Sequence, residues 1–282
     1  MRFRVRRNTN SQSRKMGRPP LSASSLFDLS GKVAVVTGSS RGIGRAIVEQ
    51  MAAAGANVVV SSRKAPACQE VVDAINEKEG REAAIAIPAN ISDKDALQRL
   101  VDETRAKWGK IDILVCNAAS NPHFGSMLEI DDEAFDKVLS NNIKSNHWLS
   151  QMVLPEMAER GEGAIVIISS ITGVQGSSVI GTYGISKAAD MQLARNIASE
   201  FGPKGVRANA IAPGLIKTDF ARALWENPEI LKQVTSKAPL KRIGMPDEIA
   251  GAAVFLASPA GAFMTGQTLV IDGGVDIAES GF

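Results

Sequence analysis

Thr37-Gly38-Ser39-Ser40-Arg41-Gly42-Ile43-Gly44 joins an apolar run, Val33–Val36, to a segment in which Ile43, Ile47 and Met51 recur every four residues until Gly55. The run reads as a short buried strand and the four-residue recurrence as one face of a helix. The glycines therefore sit in a strand–turn–helix unit. Glycine lets the backbone approach a pyrophosphate, and the N-terminus of the following helix favours its negative charge. The spacing is Gly-x-x-x-Gly-x-Gly rather than Gly-x-Gly-x-x-Gly. A Gly-rich turn alone serves structure as readily as a cofactor; its place between strand and helix points to a dinucleotide.

The pattern repeats outward from this unit. Val58–Val60, Ala84–Ile87, Ile111–Cys116, Ala164–Ile168, Val206–Ile211 and Thr268–Ile271 read as further strands. Helical stretches separate them, among them Asp93–Trp108, Glu133–Leu154, Ser186–Phe201 and Pro246–Leu256. Apolar strands alternating with helices predict an α/β, doubly wound Rossmann-type parallel sheet with helices on both faces. No repeat or low-complexity block interrupts residues 28–282, which read as one catalytic domain.

Composition narrows the function classes. The 282 residues are 44% hydrophobic and 22% charged, enough for a sizeable core and against disorder of the whole chain. No run of 18 apolar residues occurs, which excludes a helical membrane span. Two cysteines (Cys68, Cys116) and two histidines (His123, His147) leave almost no ligands for a disulfide framework or a zinc site, so no metal is expected. Seven basic side chains (Arg2, Arg4, Arg6, Arg7, Arg14, Lys15, Arg18) and no acid fall in residues 1–27, leaving 25 basic and 30 acidic residues beyond. That body is not a nucleic-acid surface. The basic segment 1–27 reads as a disordered tail, a transit peptide that would send the protein to mitochondria, or a leader upstream of a true start at Met16. Without a transit peptide the expected location is cytoplasmic. No apolar stretch follows the basic residues, against a secretory signal, and Glu279-Ser280-Gly281-Phe282 lacks a peroxisomal small-basic-Leu ending.

Tyr183-Gly184-Ile185-Ser186-Lys187 carries the chemistry. Residues i and i+4 share a helix face, so Lys187 lies beside the only tyrosine. A free phenol, with a pKa near 10, shuttles protons poorly at pH 7. An ammonium about 4 Å away at an effective dielectric near 20 is worth roughly 4 kcal/mol. That would bring the Tyr183 pKa down by about three, toward neutrality. Ser170 stands thirteen residues earlier, just past the strand Ala164–Ile168.

Tyr-x-x-x-Lys, the Gly-rich turn, Asn117-Ala118-Ala119, Asn142, Pro213-Gly214 with Thr218, and Asp272-Gly273-Gly274 occur in the order seen in short-chain dehydrogenases/reductases. The chain resembles that family from Leu29 to about Val275. Within it, Asn117–Ile130 and Gly214–Trp225 resemble the carbonyl-reductase/retinol-dehydrogenase branch, which uses NADPH on α-dicarbonyls, aromatic ketones and retinal. The resemblance implies a seven-stranded sheet and a reversible NADP(H)-dependent carbonyl reductase/alcohol dehydrogenase. Tyr183 would pass the proton, Ser170 orient the substrate oxygen, Lys187 tune the tyrosine and bind ribose, and Asn142 hold a water linking Lys187 to solvent.

The implied cofactor residues are Gly38, Ser40, Arg41, Gly42, Ile43, Gly44, Ser62, Arg63, Asn90, Ile91, Asn117, Ala118, Tyr183, Lys187, Pro213, Gly214, Ile216 and Thr218. Cys116 before Asn117 and Ala119 after Ala118 depart from the family's Asn-Asn-Ala-Gly, and Asn90 stands where an Asp is usual. Ser61-Ser62-Arg63-Lys64 offers no acid for a 2′-hydroxyl but a guanidinium suited to a 2′-phosphate, favouring NADP(H) over NAD(H). Arg41 is a second candidate clamp.

Residues 219–244 hold two short helices split by Asn227-Pro228 and would form a substrate lid, with Trp225 either roofing the pocket or simply packing. His123 is read as a bystander. Met152, Met191 and Trp148 would suit the helix contact that builds a homotetramer or dimer in relatives. Two other functions remain open: a 3-oxoacyl-carrier-protein reductase, which would use Lys232, Lys237, Lys241 and Arg242 to hold its carrier, and a non-catalytic NADP-binding sensor or scaffold.

Overall fold

The computed structural model describes residues 22–278. The readings of residues 1–21 and of the extreme C-terminus fall outside that range. Ser22 caps a one-turn helix α1 (Ala23–Leu26) by accepting a hydrogen bond from the Ser25 N–H, so regular structure begins within the stretch read as tail. The strands are β1 (Val33–Thr37), β2 (Asn57–Ser61), β3 (Ala84–Ala86), β4 (Ile113–Cys116), β5 (Gly163–Ile168), β6 (Val206–Pro213) and β7 (Thr268–Ile271). The helices following α1 are α2 (Gly42–Ala53), α3 (Ala65–Glu79), α4 (Lys94–Trp108), α5 (Asp132–Leu139), α6 (Ser145–Arg160), α7 (Gly181–Phe201), α8 (Arg222–Trp225), α9 (Pro228–Lys237) and α10 (Pro246–Ala257).

All seven strands pair in parallel, in the order β3-β2-β1-β4-β5-β6-β7. Alternate side chains of each central strand enter opposite cores. Val36, Val58 and Val60 pack against α2, α3 and α10, where Ile47, Met51, Val71 and Ile249 are buried. Val35, Val59, Leu114 and Ile165 face α4, α6 and α7, where Leu100, Leu149, Met157 and Ile197 are buried. Burial on both faces is why these strands read as continuous apolar runs.

Two features were not anticipated. The helix expected over Glu133–Leu154 runs from Asp132 to Arg160 but passes through a π-helical segment, Ser140–Lys144, where the Ser145 N–H bonds the Ser140 carbonyl. Met191, expected on a subunit contact, is buried against the sheet and belongs to this chain's own core. Among the described residues no helix is long and apolar enough to cross a membrane, and no cluster of metal-ligating side chains forms.

Candidate active site

Three strand ends converge at the carboxyl edge of the sheet. β1 runs into the Gly-rich turn, β4 into Asn117, and β5 into Ser169 and Ser170. Strand order reverses between β1 and β4, the crevice where open parallel sheets bind ligands.

The Gly-rich turn is clamped from two sides. Ser39 donates its hydroxyl to the Val36 carbonyl (2.7 Å) and accepts from the Ser61 N–H (2.9 Å), fastening the turn to the end of β2. Asn117 donates its amide to the Thr37 and Gly38 carbonyls (2.9 and 3.1 Å), so its side chain braces the turn from β4. A Cβ on Gly44 would collide with the Gly38 carbonyl oxygen and lie 2.5 Å from Asn117 Nδ2. Only glycine lets α2 start this close to the turn. Arg41 occupies the N-cap position of α2, where no side chain satisfies the first N–H groups and the first turn holds no acid. These donors fit a pyrophosphate.

Around the turn stand the other groups expected to hold the cofactor. Arg63 is exposed at the end of β2, and the exposed Arg41 side chain makes only a 3.9 Å approach to Asp219. Ser62 Oγ lies 3.2 Å from Cys68 Sγ. The Asn90 amide oxygen accepts from the Ser92 N–H at 3.3 Å, with Ile91 half-buried between them. Pro213 ends β6, and Gly214 donates its N–H to the Ile271 carbonyl (2.9 Å). Thr218 caps the short turn Asp219–Ala221 while its hydroxyl reaches the carbonyl of buried Ile216 at 3.4 Å.

Ser170 and Tyr183 lie on facing segments. Ser170 opens a 3-10 turn, Ile171–Gly173, its hydroxyl accepting from the Thr172 hydroxyl (2.9 Å) and N–H (3.2 Å). Gly184, the residue after Tyr183, carries no Cβ; one would stand 2.7 Å from the Thr172 carbonyl oxygen. Its absence lets α7 press against the turn that carries Ser170.

Lys187, one helical turn on, is buried. Its ammonium donates to the Ile168 carbonyl (2.9 Å) and to Asp190 Oδ2 (2.9 Å), and lies 5.6 Å from the centre of the Tyr183 ring. Asp190 is also buried, and its other oxygen accepts from Asn146 Nδ2 (2.9 Å). Asn146 donates in addition to the Asn142 carbonyl.

Burial disfavours the Lys187 ammonium, but Asp190 and then Tyr183 favour it, and the balance holds the lysine above its ordinary value. Burial raises the Asp190 carboxyl, against the pull of Lys187 and Asn146. Lys187 and Asn146 each donate to one Asp190 oxygen, contacts that favour the carboxylate against its burial and face it to the Lys187 ammonium as an ion pair. Burial also pushes the Cys116 thiol far above its ordinary range, so it stays neutral beside them.

This pairing corrects the expectation for Tyr183. Burial pushes the phenol above its ordinary value, Lys187 pulls it down, and Asp190 pushes it up again. The lysine that was to lower the tyrosine is shared with a carboxylate three residues further along the same helix.

Asn142, expected to support the relay behind Lys187, is held by protein partners of its own. Its buried side chain donates to the Ser120 carbonyl and the Ser186 hydroxyl (both 3.0 Å) and accepts from the Ser120 N–H (2.8 Å). It clasps the loop after β4 to α7, and it reaches Lys187 through its own carbonyl, Asn146 and Asp190. Asp190, Asn146, Ser120 and Ser39 were not singled out from the sequence. The one local signal was an acid at i+3 from Lys187 on a helix.

Around this centre the loops present apolar side chains. Phe124, Met127, Val174, Val179 and Phe220 are exposed, and Met127 and Ile180 line a cleft with Tyr183. Trp225 donates its indole N–H to the Thr218 carbonyl (2.8 Å), so it anchors the start of segment 219–244, and Phe220 is the aromatic beside Tyr183. His123 Nε2 is 3.0 Å from the Ser126 carbonyl oxygen of its own loop. Arg242 is tied to Glu248, whose carboxyl it holds down at about 2 together with the Met245 N–H.

Residues 38–276 match the family described as enoyl-(acyl carrier protein) reductase. The chain is 41% identical to dehydrogenase/reductase SDR family member 4 of Bos taurus over 87% of this chain and 88% of that protein. A 7α-hydroxysteroid dehydrogenase complexed with NADH and 7-oxo glycochenodeoxycholic acid superposes with a TM-score of 0.85 at 38% identity, covering 90% of this chain and 98% of the other. A gluconate 5-dehydrogenase from Burkholderia cenocepacia, in complex with NADP and tartrate, superposes with a TM-score of 0.86 at 31% identity, covering 91% and 100%.

Proposed function

The chain belongs to the short-chain dehydrogenase/reductase family of NAD(P)-dependent oxidoreductases, and from that premise we propose that it uses NADP(H) to interconvert a carbonyl and a primary or secondary alcohol. The observation that carries this reading is the seating of α7, through Gly184, against the turn bearing Ser170, with Lys187 behind the Tyr183 ring.

When bound, the nicotinamide would supply or accept the hydride. The chain does the rest. Gly38, Ser40, Gly42, Ile43 and Gly44 would hold the pyrophosphate at the start of α2, with Asn117 and Ala118 shaping the adjoining wall. Arg41, Ser62 and Arg63 would take the 2′-phosphate, and Asn90 and Ile91 the adenine. Pro213, Gly214, Ile216 and Thr218 would border the nicotinamide. The Ser170 hydroxyl would turn from Thr172 to the substrate oxygen. Tyr183, protonated in its resting state, would donate its phenolic proton to that oxygen as the alcohol forms, and Lys187 would stabilise the phenolate left behind.

The exposed Phe124, Met127, Val179 and Phe220 favour an apolar carbonyl substrate, as does the oxo-steroid complex of a structural relative. Segment 219–244 acts as the lid over it. The free, buried Cys68 and Cys116 suit a reducing compartment, in keeping with a cytoplasmic enzyme. Half-buried Trp148 and Met152 on α6 support self-association as a homotetramer or dimer, which light scattering reads directly. NADPH oxidation over a panel of apolar ketones, with Tyr183→Phe as control, tests the function. Turnover by the native protein and its loss in the variant are expected, and equal rates in both would overturn the assignment.

A further inference from the structure

Lys187 reaches its buried position with a counter-ion already in place. Its ammonium is held by the Ile168 carbonyl at the end of β5 and by Asp190 Oδ2, both at 2.9 Å. Asp190 is completely buried, and Asn146 on α6 fixes its second oxygen at 2.9 Å. Asn146 spends its two amide protons on Asp190 and the Asn142 carbonyl. The position therefore demands a group that accepts twice. An asparagine there would accept from Lys187 or from Asn146 and present its own N–H to the other. The titratable groups facing Lys187 are Asp190 and Tyr183 on its own helix and Cys116 from β4; α6 contributes the neutral Asn146.

We propose that Asp190 is a positioning residue of the proton relay: it pairs with Lys187 and takes a share of the ammonium charge that would otherwise act on Tyr183 alone. The carboxylate and the tyrosine phenol compete for one cation. While Asp190 holds it, the phenol keeps its proton and stands ready as an acid, which suits carbonyl reduction. Without the carboxylate, the ionisable oxygen left to the buried ammonium is that of Tyr183, whose ring centre lies 5.6 Å away. The bias toward proton donation is thus built into α7 three residues beyond the lysine. This inference deepens the reading of Tyr183 as proton donor and rests on it for its catalytic meaning, but not for its measurement.

Tyr183 is the only tyrosine, so the tyrosinate absorbance reports this one phenol with neither cofactor nor substrate present. The test compares the native protein with Asp190→Asn, following near-ultraviolet circular dichroism to confirm that both stay folded. The phenol of Asp190→Asn is expected to ionise at least about one pH unit below that of the native protein. An unchanged midpoint would overturn the proposal. Should Asp190→Asn fail to fold, the double variant Lys187→Met/Asp190→Leu removes the ion pair as a unit, a change that buried pairs commonly tolerate. Its phenol should ionise within about half a pH unit of the native one, because the two opposed charges leave together. A midpoint about one pH unit higher would show that Lys187 acted uncompensated, and would overturn the proposal. Failure of carbonyl reduction in the native protein would sink the functional assignment and leave these titrations readable.

Discussion

The rings of Tyr183 and Phe220 stand 6.3 Å apart, tilted by 38°. One belongs to the rigid helix α7, the other to the short turn Asp219–Ala221 capped by Thr218. On the proposed reading, an apolar group beside the substrate carbonyl would lie along these rings. Trp225 keeps the turn in place by bonding the Thr218 carbonyl.

Replacing Phe220 by alanine should therefore raise KM for an aromatic ketone about tenfold while changing kcat little, the effect of losing one apolar pocket contact. Phe220 is exposed, so the melting temperature should hold. Steady-state kinetics with a ketone series reads this, and an unaltered KM would remove Phe220 from the substrate wall.

Arg63→Ala should lower kcat/KM for NADPH about tenfold or more and leave NADH use nearly unchanged. A charge-assisted contact to phosphate is worth about 1.5–3 kcal/mol. Equal losses with both cofactors would mean that Arg63 serves the fold instead of the 2′-phosphate.

Gly44→Ala forces a methyl group onto the Gly38 carbonyl and the Asn117 amide. Overpacking of this kind costs about 1–3 kcal/mol. Denaturation should show that loss, and NADPH binding followed by fluorescence should weaken sharply. A variant as stable as the parent, with full affinity, would show that the turn relaxes freely.

Tyr183 and Lys187 both hold their protons more firmly in the folded state than ordinary side chains do. A group whose folded value is raised lends stability that is complete below its unfolded value and is lost as pH rises through the folded one. The melting temperature should accordingly fall as pH rises above about 10, where free tyrosine and lysine titrate. Over the same range the tyrosinate signal of the folded protein should lag behind that of the denatured protein. A tyrosinate signal that leads would contradict this upward shift of the phenol.

The Gly-rich turn and Tyr-x-x-x-Lys were legible in the sequence because their chemistry is set by spacing within one turn or one helix. The doubly wound sheet was legible for a related reason: strands buried on both faces cannot hide their apolar runs. Asp190 escaped notice although it shares a helix face with Lys187. Its role depends on Asn146, 44 residues earlier in sequence and brought near only when α6 packs on α7. Met191 was misassigned because periodicity marks an apolar face without saying what covers it. The lowered phenol expected for Tyr183 left out burial and the Asp190 carboxylate, both of which push the phenol up.

The π-helical segment Ser140–Lys144 has a consequence for the phase of everything that follows it. A bond from residue 145 back to residue 140 admits one residue more than an α-helical turn holds. Each residue of an α-helix advances the side chains by about 100° around the axis. If one residue of this segment were deleted and the helix closed up as a regular one, α6 would be rotated by that amount relative to α5. Leu149, Val153 and Met157 would swing off the sheet, and Asn146 would turn away from Asp190. The orientation of α6, and through it the contact with Lys187, is thus stored as an angular offset introduced upstream. Two homologous chains differing by a single-residue gap here would differ in which face of a whole helix meets the core.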